Sequence, residues 1–359
     1  MFSAADHEFM ARALHLAELG LYSTTPNPRV ACLIVNAGAV VGEGWHRQAG
    51  EPHAEIHALR AAGSQARGAT AYVTLEPCSH HGRTPPCAEA LIAAGVTRVV
   101  AAMQDPNPQV AGRGLALLAA AGITIECGLQ ETAARELNIG FVSRMTRGRP
   151  WLRMKLAASL DGKTALTSGV SQWITGTPAR QDGHRWRARA CAILSGIGTV
   201  RADDPQLNVR DVDISRQPLK VVVDSRLELP LQARVLNGGG LLLACASESS
   251  EKSAALRERG AEILCLPAAD GKVDLPALMT ELARRGINEL HVEGGFRLNG
   301  ALLAAGLVDE LVLYLAPCLI GDAARGMFDL PVLEDLKGKH KLVIHDVRMV
   351  GADLRVVAR

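Results

Sequence analysis

Four residues in the first quarter of the chain have the types and spacing for metal-assisted hydrolysis: His53, Glu55 two positions on, Cys78 directly after Pro77, and Cys87. One imidazole and two thiolates suit a zinc ion at about 2.0–2.3 Å and leave a fourth position for water, the arrangement of a catalytic site. Two residues along the same helix start, Glu55 can face that water as a general base. Zinc nucleobase deaminases carry H-x-E with P-C-x-x-C. Here SHHGRTPP stands between the two cysteines instead. Pro85-Pro86 would set Cys87 at a fresh helix start, where the dipole favours thiolate, while the longer loop detours through substrate space. The competing reading makes His53 a helix cap and the cysteines incidental. His80 and His81 are rival ligands inside the loop, but adjacent side chains rarely both reach one ion, so they are read as loop residues.

A second constellation lies late in the chain, where ELHVEGG runs into RLNGALLAAG. Gly294-Gly295 then ends a strand with a helix behind it, so exposed backbone N–H groups can cradle a phosphate. An ordinary tight strand-to-helix turn has the same pattern. No G-x-G-x-x-G fingerprint follows a strand, and motif alone does not establish a dinucleotide fold.

The elements that position these groups alternate. Ser3 with Asp6 resembles a capping box opening a helix whose Phe9, Ala13 and Leu16 share one face. VACLIV and AVVGEGW, joined across Asn36-Ala37-Gly38, predict a hairpin. Helices are expected over 54–62, 88–95 and 114–122, and strands over 70–75, 96–103 and 123–128, an α/β sandwich. TRGRP (146–150) is basic, Gly-containing and Pro-terminated, which places a boundary between domains 1–147 and 148–359. The second domain alternates again, with strands near 192–195, 219–224, 240–246, 262–266 and 288–293. From Leu311 onward the chain reads as strand-rich, closing on a hairpin of LVIHDVRMV and LRVVAR.

With 359 residues, two domains of ordinary globular composition are expected. Lys plus Arg is 39 against 37 for Asp plus Glu, and only 3% of residues are aromatic, which disfavours a basic, base-stacking nucleic-acid surface. The apolar runs fall short of the roughly 18 residues a membrane helix needs. Charged residues in the first helix break any signal-peptide core, so that segment is read as structure. Cys32, Cys127, Cys191, Cys245, Cys265 and Cys318 sit singly in apolar stretches and are expected to pack as small hydrophobes in a reducing cytoplasm. The apolar content of the second half suggests a homo-oligomer, a dimer.

TPNPRVACLIV, GEPHAEIHAL, TLEPCSHHGRTPPCAEALI and QDPNPQVAGRG resemble the deaminase half of the bifunctional riboflavin-biosynthesis deaminase/reductase family. MKLAASLDGKTA, SQWITG, GIGTVRADDPQLNVR, VVVDSR and VEGGFRLNGALLAAGLVDEL resemble its reductase half, so the likeness covers nearly the whole chain. The resemblance implies a cytidine-deaminase-like α/β/α sandwich followed by a dihydrofolate-reductase-like α/β domain. It implies zinc and NADPH as cofactors, and as substrate a diaminopyrimidinone ribosyl phosphate that is deaminated and then reduced from ribosyl to ribityl. His53, Cys78 and Cys87 would hold zinc, with Glu55 shuttling the proton. Asn27, His46, Arg83, Asp105 and Asn107 would contact the pyrimidine and ribose phosphate, although Asn27 and Asn107, each between two prolines, equally suit turn building.

In the reductase half the resemblance implies NADPH contacts at Ala157, Ser171, Trp173, Thr199, Asp203, Ser225 and the turn Gly295, Phe296, Arg297, Leu298, Asn299, Gly300 and Ala301. Substrate contacts would fall on Arg187, Leu207, Arg210 and Glu293. The two arginines make sense as a phosphate clamp, and Arg187 alternatively as part of a solvated helical face. Hydride delivery to the opened sugar needs an acid or cation nearby, and Lys155 and Glu293 are the candidates. Lys155 equally suits a strand-edge gatekeeper. Trp173 lies against the nicotinamide or fills core. The rivals from other classes are a zinc-dependent tRNA-type base deaminase with an accessory domain, and a zinc-stabilised interaction protein.

Overall fold

The computed structural model describes residues 1–79, 86–248 and 250–359, and it divides into two compact units, Met1–Gly148 and Arg149–Arg359. The first unit contains, in order, α1 (Ala4–Ala17), β1 (Ala31–Asn36), β2 (Ala39–Trp45), α2 (Ala54–Ala62), β3 (Thr70–Val73), α3 (Cys87–Ala93), β4 (Arg98–Ala101), α4 (Arg113–Ala120), β5 (Thr124–Cys127), α5 (Glu131–Leu137) and α6 (Ile139–Arg147). Its sheet runs β2-β1-β3-β4-β5, with β1 antiparallel to both neighbours and the rest parallel.

Alternation along β1 explains the layering, because successive side chains leave opposite faces of a strand. Cys32 and Ile34 pack with the buried alanines of α2 and with Leu91 and Leu118 of α3 and α4. Leu33 and Val35 pack on the other face with Met10 and Leu14 of α1 and with Phe141 of α6. Both faces are covered, an α/β/α sandwich. The Ser3–Asp6 capping box forms as its spacing predicts, with Asp6 Oδ2 accepting from Ser3 N and Oγ at 2.7 and 2.8 Å.

The second unit contains β6 (Trp151–Ser159), α7 (Thr177–Arg189), β7 (Ala192–Gly196), α8 (Ile197–Asp203), β8 (Leu219–Val223), β9 (Leu241–Cys245), α9 (Ser250–Glu258), β10 (Ala261–Cys265), α10 (Leu275–Arg284), β11 (Glu289–Val292), α11 (Phe296–Ala304), β12 (Glu310–Ala316), β13 (Ile344–Val350) and β14 (Asp353–Ala358). Nine strands form one sheet in the order β10-β9-β8-β7-β11-β6-β12-β14-β13. Pairing is parallel from β10 to β12 and antiparallel at β14 and β13. Leu194, Val221 and Leu242 face one core while Ile193, Val222 and Leu243 face another, so the central strands are buried on both sides.

Two sequence expectations are corrected, and α5 and α6 form where the sequence pattern predicts no element. The segment after Leu311 is strand only at β12, β13 and β14, and a single short turn of helix (Leu336–Gly338) interrupts the irregular chain between β12 and β13. Cys127, Cys265 and Cys318 are exposed, whereas Cys32, Cys191 and Cys245 are buried. Cys127 and Cys265 are the last residues of edge strands, which no neighbouring strand covers. All eight cysteines are free thiols. Among the described residues no helix is long and apolar enough to cross a membrane.

Candidate functional site

In the first unit the metal donors are brought together by how closely α2 lies on β2. A Cβ at Gly42 would fall 2.2 Å from Ala58 O, and one at Gly44 would fall 2.7 Å from Ala54 O, so only glycine lets the alanine face of the helix approach this far. The start of α2 is thereby fixed against the sheet. His53 occupies its N-cap position, yet its side chain makes no capping bond. The ring turns instead to the cysteines, with Nδ1 3.6 Å from Cys78 Sγ and 3.3 Å from Cys87 Sγ. The three ligand atoms lie within 4.8 Å of one another. Convergence of one imidazole and two sulfurs from three elements removes the helix-cap reading and fits a zinc ion. His80, His81 and Arg83 lie outside the described residues.

The helix start at Cys87 also reaches Cys78. Its backbone N–H donates to Cys78 Sγ at 3.3 Å. Hydrogen bonding from Cys87 holds the Cys78 thiol down, to about 4, while the bond to Cys78 and burial push Cys87 up. The Cys87 side chain, more than the backbone N–H at the start of α3, favours thiolate on Cys78. Glu55 is 3% exposed, and burial followed by the nearby Cys78 charge raises its pKa.

His46 lies beside this cluster, its ring 5.4 Å from that of His53. Burial lowers its pKa, so the neutral ring donates from Nδ1 to Pro52 O (3.2 Å) and accepts at Nε2 from Asn27 Nδ2 (3.0 Å). The Asn27 side chain thus reaches across to His46, while its backbone N–H closes a turn on Thr24 O at 2.9 Å. Asn107 does the opposite: its Oδ1 accepts from Gln109 N at 3.1 Å, and Asp105 Oδ1 accepts from Asn107 N at 2.8 Å. Asp105 N in turn donates to Glu76, a residue that spacing gave no reason to single out.

In the second unit the ends of the parallel strands open on a cleft of about 1270 Å³, where the crevice of an open α/β sheet is expected. Lys155, Ala157, Ser171, Trp173, Thr199, Asp203 and Ser225 line it, together with Gly295, Phe296, Arg297, Leu298 and Asn299. Gly300 and Ala301 do not line it: Gly300 sits where a Cβ would meet Asp329 O at 2.0 Å, and Ala301 is exposed on α11. Gly295 is the N-cap of α11 without a side-chain cap, which leaves the first N–H groups of the helix available. A Cβ at Gly294 would lie 2.7 Å from Asn299 Oδ1, a buried oxygen without a partner among the described residues. An uncapped helix start and a cradle without Cβ atoms fit a phosphate-bearing cofactor.

Arg187, Leu207, Arg210 and Glu293 line the same cleft. Arg187 is not on a solvated face. Its Nε and Nη2 grip Glu293 at 2.6 and 2.7 Å, and Nη1 donates to Asn208 O at 2.9 Å. Although burial works against it, the charge of Arg187 holds Glu293 ionised well below the usual carboxylate range, and His291 Nε2 adds a contact at 3.1 Å. Arg210 keeps an exposed guanidinium, with its backbone N–H donating to His184 Nδ1 at 3.1 Å. Burial, then Arg187 and Arg210, lower His184 to about 4. His184 carried no sequence signal, because its partner Arg210 comes from a distant loop, whereas His291 pairs with Glu293 only two residues on.

Lys155 is on β6, between β11 and β12 in the sheet, so the edge-gatekeeper reading falls. Burial lowers its pKa against the opposing charge of Glu293, and Nζ lies 5.7 Å from the Tyr314 ring. Trp173 is 69% exposed, which removes the core-filling reading, and the Arg180 guanidinium stands 4.6 Å from its ring.

A converged zinc-type donor set on an α/β/α sandwich, followed by a parallel-sheet unit with a phosphate cradle, defines a two-unit deaminase and reductase class. The family comparisons agree: the cytidine and deoxycytidylate deaminase zinc-binding region matches residues 3–103, and the RibD C-terminal domain matches residues 150–354. The chain is 51% identical over 362 residues to the riboflavin biosynthesis protein RibD of Escherichia coli, covering 97% of this chain and 98% of the relative. It is 46% identical to that of Haemophilus influenzae, covering 99% and 97%. Among solved structures, Acinetobacter baumannii RibD superposes with a TM-score of 0.91 at 44% identity, covering 99% of this chain and 98% of that one. A diaminohydroxyphosphoribosylaminopyrimidine deaminase/5-amino-6-(5-phosphoribosylamino)uracil reductase from Thermotoga maritima gives 0.88 at 32%, with the same coverage. The chain belongs to the RibD family.

Proposed function

We propose that the chain is a bifunctional enzyme of riboflavin biosynthesis. The first unit hydrolytically deaminates 2,5-diamino-6-(5-phosphoribosylamino)pyrimidin-4(3H)-one, and the second reduces the ribosyl side chain of the product to ribityl with NADPH. The observation that carries this reading is the meeting of His53, Cys78 and Cys87 beside the buried Glu55. Zinc held by those three side chains supplies Lewis acidity, making a water nucleophilic at neutral pH. Glu55 takes one proton of the attacking water to the ring nitrogen, and then moves the proton of the new hydroxyl to the amino group, which leaves as ammonia while the carbonyl forms. Its raised pKa supports the role, because a general base works best when its proton affinity lies near the operating pH. Asn27, oriented by the neutral His46, reads the pyrimidine edge with Asp105 and Asn107, and Arg83 takes the ribose phosphate.

In the second unit the Gly294-Gly295 turn and the start of α11 hold cofactor phosphate, with Ala157, Ser171, Trp173, Thr199, Asp203 and Ser225 along the cleft. The nicotinamide supplies the hydride. Arg226 and Lys272 line the cleft beside Ser225 and support a preference for the 2′-phosphorylated cofactor. Arg210 offers its open guanidinium to the substrate phosphate, while Arg187 fixes Glu293. Leu207 closes the substrate side. Lys155 places its ammonium group at the reacting end, where it neutralises developing charge and donates a proton to the opened sugar.

Ile344, Val347 and Met349 on the edge strand β13 are exposed, which supports a homodimer through that edge. Eight free thiols support a cytoplasmic location. The test is metal analysis of the purified chain together with ammonia release from the diaminopyrimidinone ribosyl phosphate. One zinc per chain with turnover is expected, and turnover without bound metal would overturn the assignment.

A further inference from the structure

One buried carboxylate, neither a metal donor nor a reacting group, ties the metal site to the segment that carries Asp105 and Asn107. Glu76 follows β3 and precedes Pro77-Cys78, is 3% exposed, and extends the sheet by donating its N–H to Met103 O at 3.0 Å. Its Oε2 accepts from Asp105 N at 3.0 Å and from Gly112 N at 2.9 Å, the two ends of the 105–112 loop. Its Oε1 accepts from Gly114 N at 2.8 Å and Leu115 N at 3.3 Å, in the first turn of α4. Gly112, the N-cap of α4, has no side chain to do this, so Glu76 caps the helix from outside.

Part of the bonding of this loop is local, and Val110 is buried at 2% exposure. Asn107 O accepts from Val110 N and Ala111 N at 2.8 and 3.0 Å, and the Asp105 and Asn107 side chains bond backbone two residues on. Each of these bonds stays within the loop. Contact with the sheet is close, since a Cβ at Gly114 would fall 1.9 Å from Pro77 O. Bonds to a charged acceptor contribute more than neutral ones, and a buried N–H left without its acceptor carries a desolvation cost.

We propose that Glu76 is a positioning residue of the deamination reaction. Its carboxylate clamps both ends of the 105–112 loop and presents Asp105 and Asn107 to the pyrimidine ribosyl phosphate in fixed register with Cys78, two residues along the chain. The inference rests on the reading of Asp105 and Asn107 as substrate contacts. Contacts held equally in ground and transition states change KM rather than kcat.

The experiment compares Glu76→Gln, Glu76→Asp and Asp105→Ala in the full-length chain. It measures KM and kcat for ammonia release, zinc per chain, and NADPH oxidation with the deaminated substrate as a control for folding. Glu76→Gln is expected to raise KM about tenfold, or ~1.4 kcal/mol, with kcat within about twofold, full zinc and unchanged NADPH oxidation. Glu76→Asp keeps the charge on a shorter arm and should recover part of the loss; it replaces the Gln variant if that one fails to accumulate. An unmoved KM in the Glu76 variants with a raised KM in Asp105→Ala overturns the clamp and leaves the substrate reading standing. An unmoved KM in Asp105→Ala overturns the substrate reading and the clamp with it. Loss of zinc, or a fall in kcat at constant KM, overturns the clamp by assigning Glu76 to the metal site.

Discussion

Replacing Glu55 with Gln keeps the size of the side chain and removes only its acid–base function. The carboxyl is 3% exposed, so no solvent-held carboxylate stands ready to replace it. Proton transfer by a positioned side chain contributes about 10²–10⁴ in rate, so a fall in ammonia release of about a thousandfold, ~4 kcal/mol, is expected. The metal donors respond in the other direction. The Glu55 charge helps to push the Cys87 thiol up, and a neutral amide in its place eases formation of the thiolate that a metal requires. Zinc content should therefore stay full. The assay follows ammonia release at saturating substrate, zinc per chain, and NADPH oxidation on the deaminated substrate, all on one preparation. Ammonia release within about tenfold of the unmodified chain would refute the general-base role, since even the low end of the range is larger. Zinc lost together with activity would refute the separation of base from ligands.

Cys78→Ser should abolish zinc binding and deamination, while NADPH oxidation on the deaminated substrate persists, because every residue lining the second cleft lies between Lys155 and Arg325; parallel assays of the two activities check this. Glu293→Gln strips the charge that Arg187 grips with two bonds and leaves a buried guanidinium uncompensated. It should destabilise the second unit by about 3 kcal/mol, measurable by denaturant unfolding, and depress NADPH oxidation. For pH, the hydrogen bond from Arg98 is the largest of the effects that hold the Asp6 carboxyl well below its ordinary value. A depressed folded-state pKa gives stability that is fully present above the unfolded value, about 3.9, and is lost as pH falls toward the folded one. Asp6→Asn should accordingly flatten the acid limb of a stability-versus-pH curve and cost about 2 kcal/mol at neutral pH.

Much of the architecture is legible because it is local. Ser3 and Asp6 form their capping box from adjacent residues, α2 spans the stretch of AEIHALRAA that its pattern delimits, and the β1–β2 and β13–β14 hairpins follow from alternation around short turns. α5 and α6 are seven and nine residues long and adjoin at Asn138, whose side chain bonds Arg29, 109 positions away, a pairing that no short stretch shows. The exposed Cys127 and Cys265 belong to the same class of miss, since an apolar strand does not announce that it will be an edge.

Residue types and chain order alone determined that one imidazole, two thiols and a carboxylate were available for zinc chemistry, and that a glycine pair would close a strand before a helix. Only the tertiary structure decided which groups meet. Glu76 reaches Asp105 across 29 positions and Arg187 reaches Glu293 across 106, and these pairings depend on strand order and on how closely helix and sheet approach. Periodicity and capping act over a few neighbouring residues, whereas a buried charge finds its partner through packing that no short stretch of sequence encodes.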